Sequence, residues 1–177
     1  MLSTELVPTA RLSAADREQV RDLMDAAFTD FSDHDWAHAL GGLHSIARAD
    51  GVVVAHGALV QRRLLLGGVD GRSLRCGYVE SVAVDPTRCR QGIGSAVMAD
   101  LEGLAEGYDV LALSSSTAGV PFYEARGWHL WRGPSAVLAP TGWQDTPEED
   151  GSIYVLGGTD LDLDAPIACD WREGDVW

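Results

Sequence analysis

The chain has 177 residues, 46% of them hydrophobic and 23% charged, and reads as one domain over 1–177 with room for a sizeable core. Its formal net charge of −14 excludes the basic footprint that nucleic acid requires, and it opposes an anionic membrane surface. The acidity serves either solubility or the concentration of a polycationic substrate in a cleft, and charge alone leaves both readings open.

In chain order, Glu5–Arg11 predicts a first strand. Ser13 opens S-A-A-D, a capping-box-like start to a helix reaching Phe28, with Val20, Leu23, Met24 and Ala27 on one face. Asp33 is placed to cap a short second helix, DHDWAHAL, stopped by Gly41 and Gly42. Leu43–Ala49 and Val52–Leu66 flank Asp50-Gly51, a hairpin signal. After a turn over Gly67–Ser73, Leu74–Val84 predicts the next strand. Asp85-Pro86 breaks that strand, and a glycine- and arginine-bearing turn leads into a helix with Ile93, Val97, Leu101 and Leu104 at helical spacing, ending near Gly107.

Val110–Leu113 is short and continuously apolar, as a central strand is. A helix over about Gly119–Arg126 ends at Gly127, and Trp128–Leu138 and Ile153–Leu156 predict later strands. The tail beyond Gly158 is acidic and lacks a readable period. Hairpins early and a β-α-β unit in the middle make an α/β (α+β) chain without repeats or linkers.

Cys76, Cys89 and Cys169 are odd in number and lack metal or disulfide spacing, which points to a reducing cytoplasmic setting. MLSTELVPTAR lacks a basic segment followed by an apolar one, and no apolar run approaches the ~20 residues of a membrane helix. His34 and His38 stand at i, i+4 without an apparent third ligand, so no metal is expected.

The stretch GYVESVAVDPTRCRQGIGSAVM, 77–98, carries the clearest chemistry. A strand running through such a turn into a helix presents free backbone N–H groups and a positive dipole end to an anion. Gly92 and Gly94 admit a bulky group, and Arg88 and Arg90 bring donors matched to phosphate. Neither a Gly-Lys-Ser/Thr ending nor a complete G-x-G-x-x-G is present.

Together with PFYEARGW at Pro121–Trp128, the VAVDP strand end and the G-I-G helix start resemble the GNAT superfamily of acyl-CoA-dependent N-acyltransferases. The resemblance implies a mixed, mostly antiparallel sheet flanked by helices. It implies that Arg88, Cys89, Arg90, Gln91, Gly92, Ile93, Gly94 and Ser95 cradle the CoA pyrophosphate of acetyl-CoA, while Val82, Ala83 and Val84 pair with the pantetheine arm. It also implies that Tyr123 approaches the CoA sulfur. The first motif position, usually Arg or Gln, is Cys89 here, which leaves the phosphate contact to either flanking arginine.

DFSDHDWAHALGG (30–42), RCGYVE (75–80), ALSSS (112–116), WRGPSAVLAPTG (131–142) and CDWREGDVW (169–177) resemble the aminoglycoside 2′-N-acetyltransferases over nearly the whole chain beyond the first helix. That resemblance implies direct acetyl transfer to the 2′-amine of an aminoglycoside, antibiotic resistance as the outcome, and a homodimer. It implies drug contacts at Asp30, Asp35, Glu80, Ser81, Ser114, Asp150, Asp175 and Trp177.

Amine acylation needs a base for the amine proton and an acid for the departing thiolate. A tyrosine hydroxyl, pKa about 10, donates to a thiolate of pKa about 8.5 as charge develops, so Tyr123 is the expected general acid. Glu80 interrupts a Val-rich strand just before the expected CoA segment and is the expected base, directly or through water. A GNAT enzyme for another cationic amine, or a non-catalytic binding module, are the rival readings.

Overall fold

The computed structural model describes residues 2–158 and 160–177. The strands are β1 (Leu2–Pro8), β2 (Leu43–Ala49), β3 (Val52–Leu66), β4 (Arg72–Val84), β5 (Val110–Ser114), β6 (His129–Leu130), β7 (Ser135–Ala139), β8 (Gly142–Asp145), β9 (Ile153–Leu156) and β10 (Ile167–Asp170). The helices are α1 (Ala14–Ala27), α2 (Asp33–Ala39), α3 (Ile93–Glu102) and α4 (Val120–Glu124). The chain forms two compact units, Met1–Val60 with Val79–Leu104, and Gln61–Tyr78 with Ala105–Trp177. The long strands β3 and β4 supply residues to both.

In the first unit β1 pairs antiparallel with β2, and β2 with β3. Asp50 and Gly51 both have positive φ, 51° and 87°, as the predicted two-residue hairpin requires. The β2–β3 register shifts between Ala47 and Arg48, passing over Val54, so Val54 and Ala55 fall in the same core cluster. Elsewhere alternation divides the strands between two faces. Ile46, Val53 and Ala83 pack with Val20, Leu23 and Met24 of α1, whereas Ala47, Val54 and Ala55 pack with Ile93 and Val97 of α3.

The capping box that starts α1 is formed by Ser13 and Asp16 as expected. For α2 the cap is Ser32 rather than Asp33. Ser32 and Asp35 make the reciprocal box, and Asp33 is the first helical residue. The first strand stops at Pro8, because Thr9–Arg11 tightens into a 3-10 turn whose Thr9 N–H donates to the Gly42 carbonyl, 3.0 Å. The helix after the glycine turn ends at Glu102 instead of near Gly107. Gly103 caps it, and Ala105–Gly107 continues as a 3-10 turn.

In the second unit Cys76–Tyr78 of β4 pair parallel with Val110–Ala112 of β5, completing the predicted β-α-β unit. The strand order there is β6-β9-β5-β4-β3-β10-β7-β8. Pairing is antiparallel for β5–β9, β6–β9, β3–β10 and β7–β8, and parallel for β7–β10. The predicted strand Trp128–Leu138 is divided into β6 and β7. A Cβ on Gly133 would stand 2.0 Å from the Ala165 carbonyl oxygen, so the chain turns there against another backbone. Trp131 is buried beside that turn and donates its indole N–H to the same carbonyl, 2.9 Å. Among the described residues no helix is long and apolar enough to cross a membrane.

Gly57 of β3 lets α3 sit close to the sheet: an added Cβ would meet Val97 Cγ1 at 2.9 Å and Leu101 Cδ1 at 3.1 Å. Gly57→Ala should therefore lower stability by about 1–3 kcal/mol, the usual cost of overpacking. Urea unfolding checks this, and an unchanged midpoint would show that α3 yields freely.

Candidate active site

Four of the sequence-predicted acceptor residues meet in one cavity of the first unit. It measures about 330 Å³ and is lined by Phe28, Thr29, Asp30, Phe31, Asp35, Glu80 and Ser81. Phe28 and Phe31 stack at 5.8 Å between centroids, and the Arg21 guanidinium lies 5.4 Å over Phe31 while also pairing with Asp25 and Asp33. These aromatics escape sequence reading, although F-T-D-F around Asp30 is the pattern that marks them. Asp35 does double duty: its Oδ2 accepts from Ser32 N–H at 2.7 Å and from Ser32 Oγ at 2.8 Å, so the helix cap holds the carboxylate at the cavity wall. Ser81 has φ +51°, a left-handed residue inside a strand, and Glu80, Ser81 and Val82 are all half-buried where alternation would bury one face.

The glycine turn follows directly. Asp85 Oδ1 accepts from Thr87 N–H and Oγ at 2.8 and 2.7 Å, and Arg88 Nε stands 3.5 Å from Asp85 Oδ2. The Thr87 bonds first, and the Arg88 charge after them, hold the Asp85 carboxyl below its usual range. Arg90 and Gly92 are both left-handed, φ +62° and +80°. Gly92 caps α3 without a side-chain acceptor, so the first N–H groups of Ile93, Gly94 and Ser95 lack the intrahelical partners that later residues have. Together these groups form a cradle suited to an anion. Cys89 is exposed, its thiol 3.7 Å from the Asp85 carbonyl oxygen, while Arg88 and Arg90 are exposed on either side.

In the second unit Tyr123 lies on α4, half-buried, edge-on to Phe122 at 5.2 Å and Trp128 at 6.0 Å. Burial pushes its hydroxyl up to about 12, so it stays protonated at neutral pH. Ser114 ends β5 and donates to Ser152 Oγ at 3.0 Å, with Glu149 Oε2 at 3.4 Å. Glu149 carries no motif that marks it in the sequence; burial raises its carboxyl, and repulsion from Asp175 adds to this. The chain end is anchored. Trp177 is buried and its indole N–H donates to Thr146 Oγ1 at 3.0 Å, while Arg172 donates to the Trp177 and Asp175 carbonyl oxygens at 2.8 and 2.7 Å. Asp150 Oδ1 accepts from Ser135 N–H and Oγ, both 2.8 Å, and Ser135 Oγ reaches Thr146 Oγ1 at 2.8 Å.

The strand-to-helix turn, the parallel strand after it and the tyrosine-bearing helix all fall within one family match. Residues 10–128 match the family model described as acetyltransferase (GNAT) family. The chain belongs to the GNAT acetyltransferase family.

Among curated relatives of this GNAT chain, an aminoglycoside 2′-N-acetyltransferase of Mycolicibacterium fortuitum is 46% identical, over 99% of this chain and 92% of the relative. Solved structures share the fold at low identity. Eis1 from Mycobacterium abscessus superposes with a TM-score of 0.60 at 21% identity, over 77% of this chain and 32% of that one. A GNAT family acetyltransferase from Brucella melitensis, in complex with acetyl-CoA, gives 0.57 at 19% identity, over 97% of both chains.

The Asp150 bonds separate geometry from charge. Asp150→Ala leaves the buried Ser135 N–H without its carboxylate and should cost about 1–3 kcal/mol, whereas Asp150→Asn keeps an acceptor and should stay within about 0.5 kcal/mol. Thermal unfolding of both variants reads this, and equal losses would show that the charge itself is structural.

Proposed function

We propose that this enzyme transfers acetyl from acetyl-CoA to the 2′-amino group of aminoglycosides, directly within a ternary complex, and so confers resistance. The observation that carries the reading is the cavity in which Asp30, Asp35 and Glu80 share one wall system with stacked Phe28 and Phe31. Several carboxylates beside an aromatic face suit a multiply protonated aminosugar, through charge-assisted bonds and ring contact. The Mycolicibacterium fortuitum relative supports the drug class, since it is 46% identical and named for that reaction.

The bound cosubstrate supplies an activated acetyl thioester. The N–H groups of Ile93, Gly94 and Ser95, with Arg88 or Arg90, hold its pyrophosphate, and Cys89, Gln91 and Gly92 shape the turn around it. Uncapped N–H groups and a left-handed glycine fit such a group. Val82, Ala83 and Val84 bind the pantetheine through their backbone; the β4–β5 ladder covers Cys76–Tyr78, and these residues lie beyond it in the chain.

Glu80 takes the proton of the attacking amine, directly or through water. The Tyr123 hydroxyl holds the proton that the departing sulfur takes up, and its raised pKa keeps that proton in place at neutral pH. Ser81, Ser114, Asp150, Asp175 and the Trp177 end complete the contacts to the drug, with Glu149 beside Ser114 as a further carboxylate.

We also read 1–177 as one catalytic domain, because the family match draws on both units. A cytoplasmic setting agrees with three free thiols at Cys76, Cys89 and Cys169. The homodimer rests on the family resemblance alone.

Acetyl-CoA turnover with tobramycin, which has a 2′-amine, against kanamycin A, which has a 2′-hydroxyl, tests the reading. Activity with the first and little with the second is expected, and equal activity or none with tobramycin would contradict it. Tyr123→Phe and Glu80→Gln should each lower kcat by about 10²–10⁴-fold with smaller changes in KM.

A further inference from the structure

His44 and His56 are fully buried, yet neither belongs to the cradle or lines the cavity. They sit on adjacent antiparallel strands, β2 and β3, where the register sets His44 opposite Ala58 and His56 opposite Ile46. Their rings lie 5.2 Å apart, and Trp36, next to the cavity residue Asp35, packs at 6.4 Å from each. Four short contacts run through them. Gly41 N–H reaches Thr9 Oγ1 at 2.9 Å, and Thr9 Oγ1 reaches His44 Nε2 at 2.7 Å. His44 Nδ1 reaches His56 Nε2 at 2.9 Å, and His56 Nδ1 reaches the Ser81 carbonyl oxygen at 2.9 Å.

The proton positions follow by elimination. A carbonyl oxygen only accepts, so His56 carries its proton on Nδ1. Burial keeps both rings neutral, with pKa values lowered to about 3 for His56 and about 4 for His44. Nε2 of a neutral His56 is therefore an acceptor, and His44 must donate from Nδ1. His44 Nε2 is then an acceptor in turn; the Thr9 hydroxyl donates to it at 2.7 Å, a shorter contact than the Gly42 carbonyl oxygen at 3.3 Å, while accepting from Gly41 N–H. Every donor points the same way, from the Gly41 backbone toward Ser81. Ser81 is also the residue of β4 with φ +51°, a conformation that a residue other than glycine holds only against local resistance. Its neighbour Glu80 lines the cavity.

We propose that His44 and His56 are positioning residues: through this one-directional chain they lock Ser81 in its left-handed conformation and so fix where Glu80 stands in the cavity. Neither imidazole touches substrate. The role deepens the acetyltransfer reading and rests on it for the importance of Glu80, but the hydrogen-bond chain is independent of any activity.

A double-mutant cycle tests the claim, because glycine adopts positive φ without the help of His56. His56→Leu in the parent chain should lower kcat with tobramycin by about tenfold or more while the KM for acetyl-CoA changes by less than about threefold. In a Ser81→Gly chain the same His56 substitution should cost less than about threefold in kcat. A loss of the same size in both backgrounds, or none in the parent, would overturn the proposal, since a packing role is blind to residue 81. His56→Asn, which keeps a donor at the place of Nδ1, should retain kcat within about threefold, and a folded variant with a loss like that of His56→Leu would also overturn it. Nitrogen-15 NMR of the histidines reads the chain without turnover: both rings should be in the Nδ1–H tautomer, and a His56 protonated on Nε2 instead would refute the proposal. Absence of tobramycin acetylation by the unsubstituted chain, with both rings in the Nδ1–H tautomer, would fault the functional reading and leave the hydrogen-bond chain standing.

Discussion

The hydrogen bond from His56 to the Ser81 carbonyl is the interaction on which the first unit's chemistry depends. A regular strand would point Glu80 and Val82 to one face and Ser81 to the other. A left-handed residue at position 81 breaks that alternation and leaves Glu80, Ser81 and Val82 all half-buried. The same break lets one strand serve two ends: Glu80 and Ser81 at the acceptor cavity, and Val82 to Val84 leading into the glycine turn. Such a conformation persists in a non-glycine residue only where its surroundings over-determine it, and here a buried imidazole pair does so.

Electrostatics divide along the same strand. Beyond Val84 the turn offers uncapped N–H groups and two exposed arginines, whereas the cavity before it is walled by carboxylates. A chain of net charge −14 thus keeps a local positive end for an anion and spends its acidity where a cation is expected. In the second unit the carboxylates have more structural duties. Asp150 holds Ser135, and through Thr146 that network reaches the buried Trp177, so the acidic C-terminal segment is a packed element.

Much of this was legible in the sequence because it is local. The Ser13 box, the Asp50-Gly51 hairpin and the Gly92 turn are each specified within a few residues, and each forms as read. The strands β8 and β10 escaped because four residues of mixed polarity carry no usable period. Gly133 divides a strand for a reason that lies in another segment, the Ala165 backbone. Asp30, Asp35, Glu80 and Ser81 were found together, whereas Phe28 and Phe31 look in sequence like ordinary helix-end aromatics. The histidine pair shows the limit most clearly. His34 and His38 attract the eye by helical spacing, but the pair that interacts, His44 and His56, is brought together only by antiparallel register.

If β4 divides cofactor from acceptor at Ser81, amide hydrogen exchange of the intact chain with each ligand alone reads that division. Acetyl-CoA should slow exchange in the peptides covering Val82–Val84 and Ile93–Ser95, and tobramycin should slow it around Thr29–Asp35. Protection of both regions by tobramycin alone, or none in the turn with acetyl-CoA, would contradict that division.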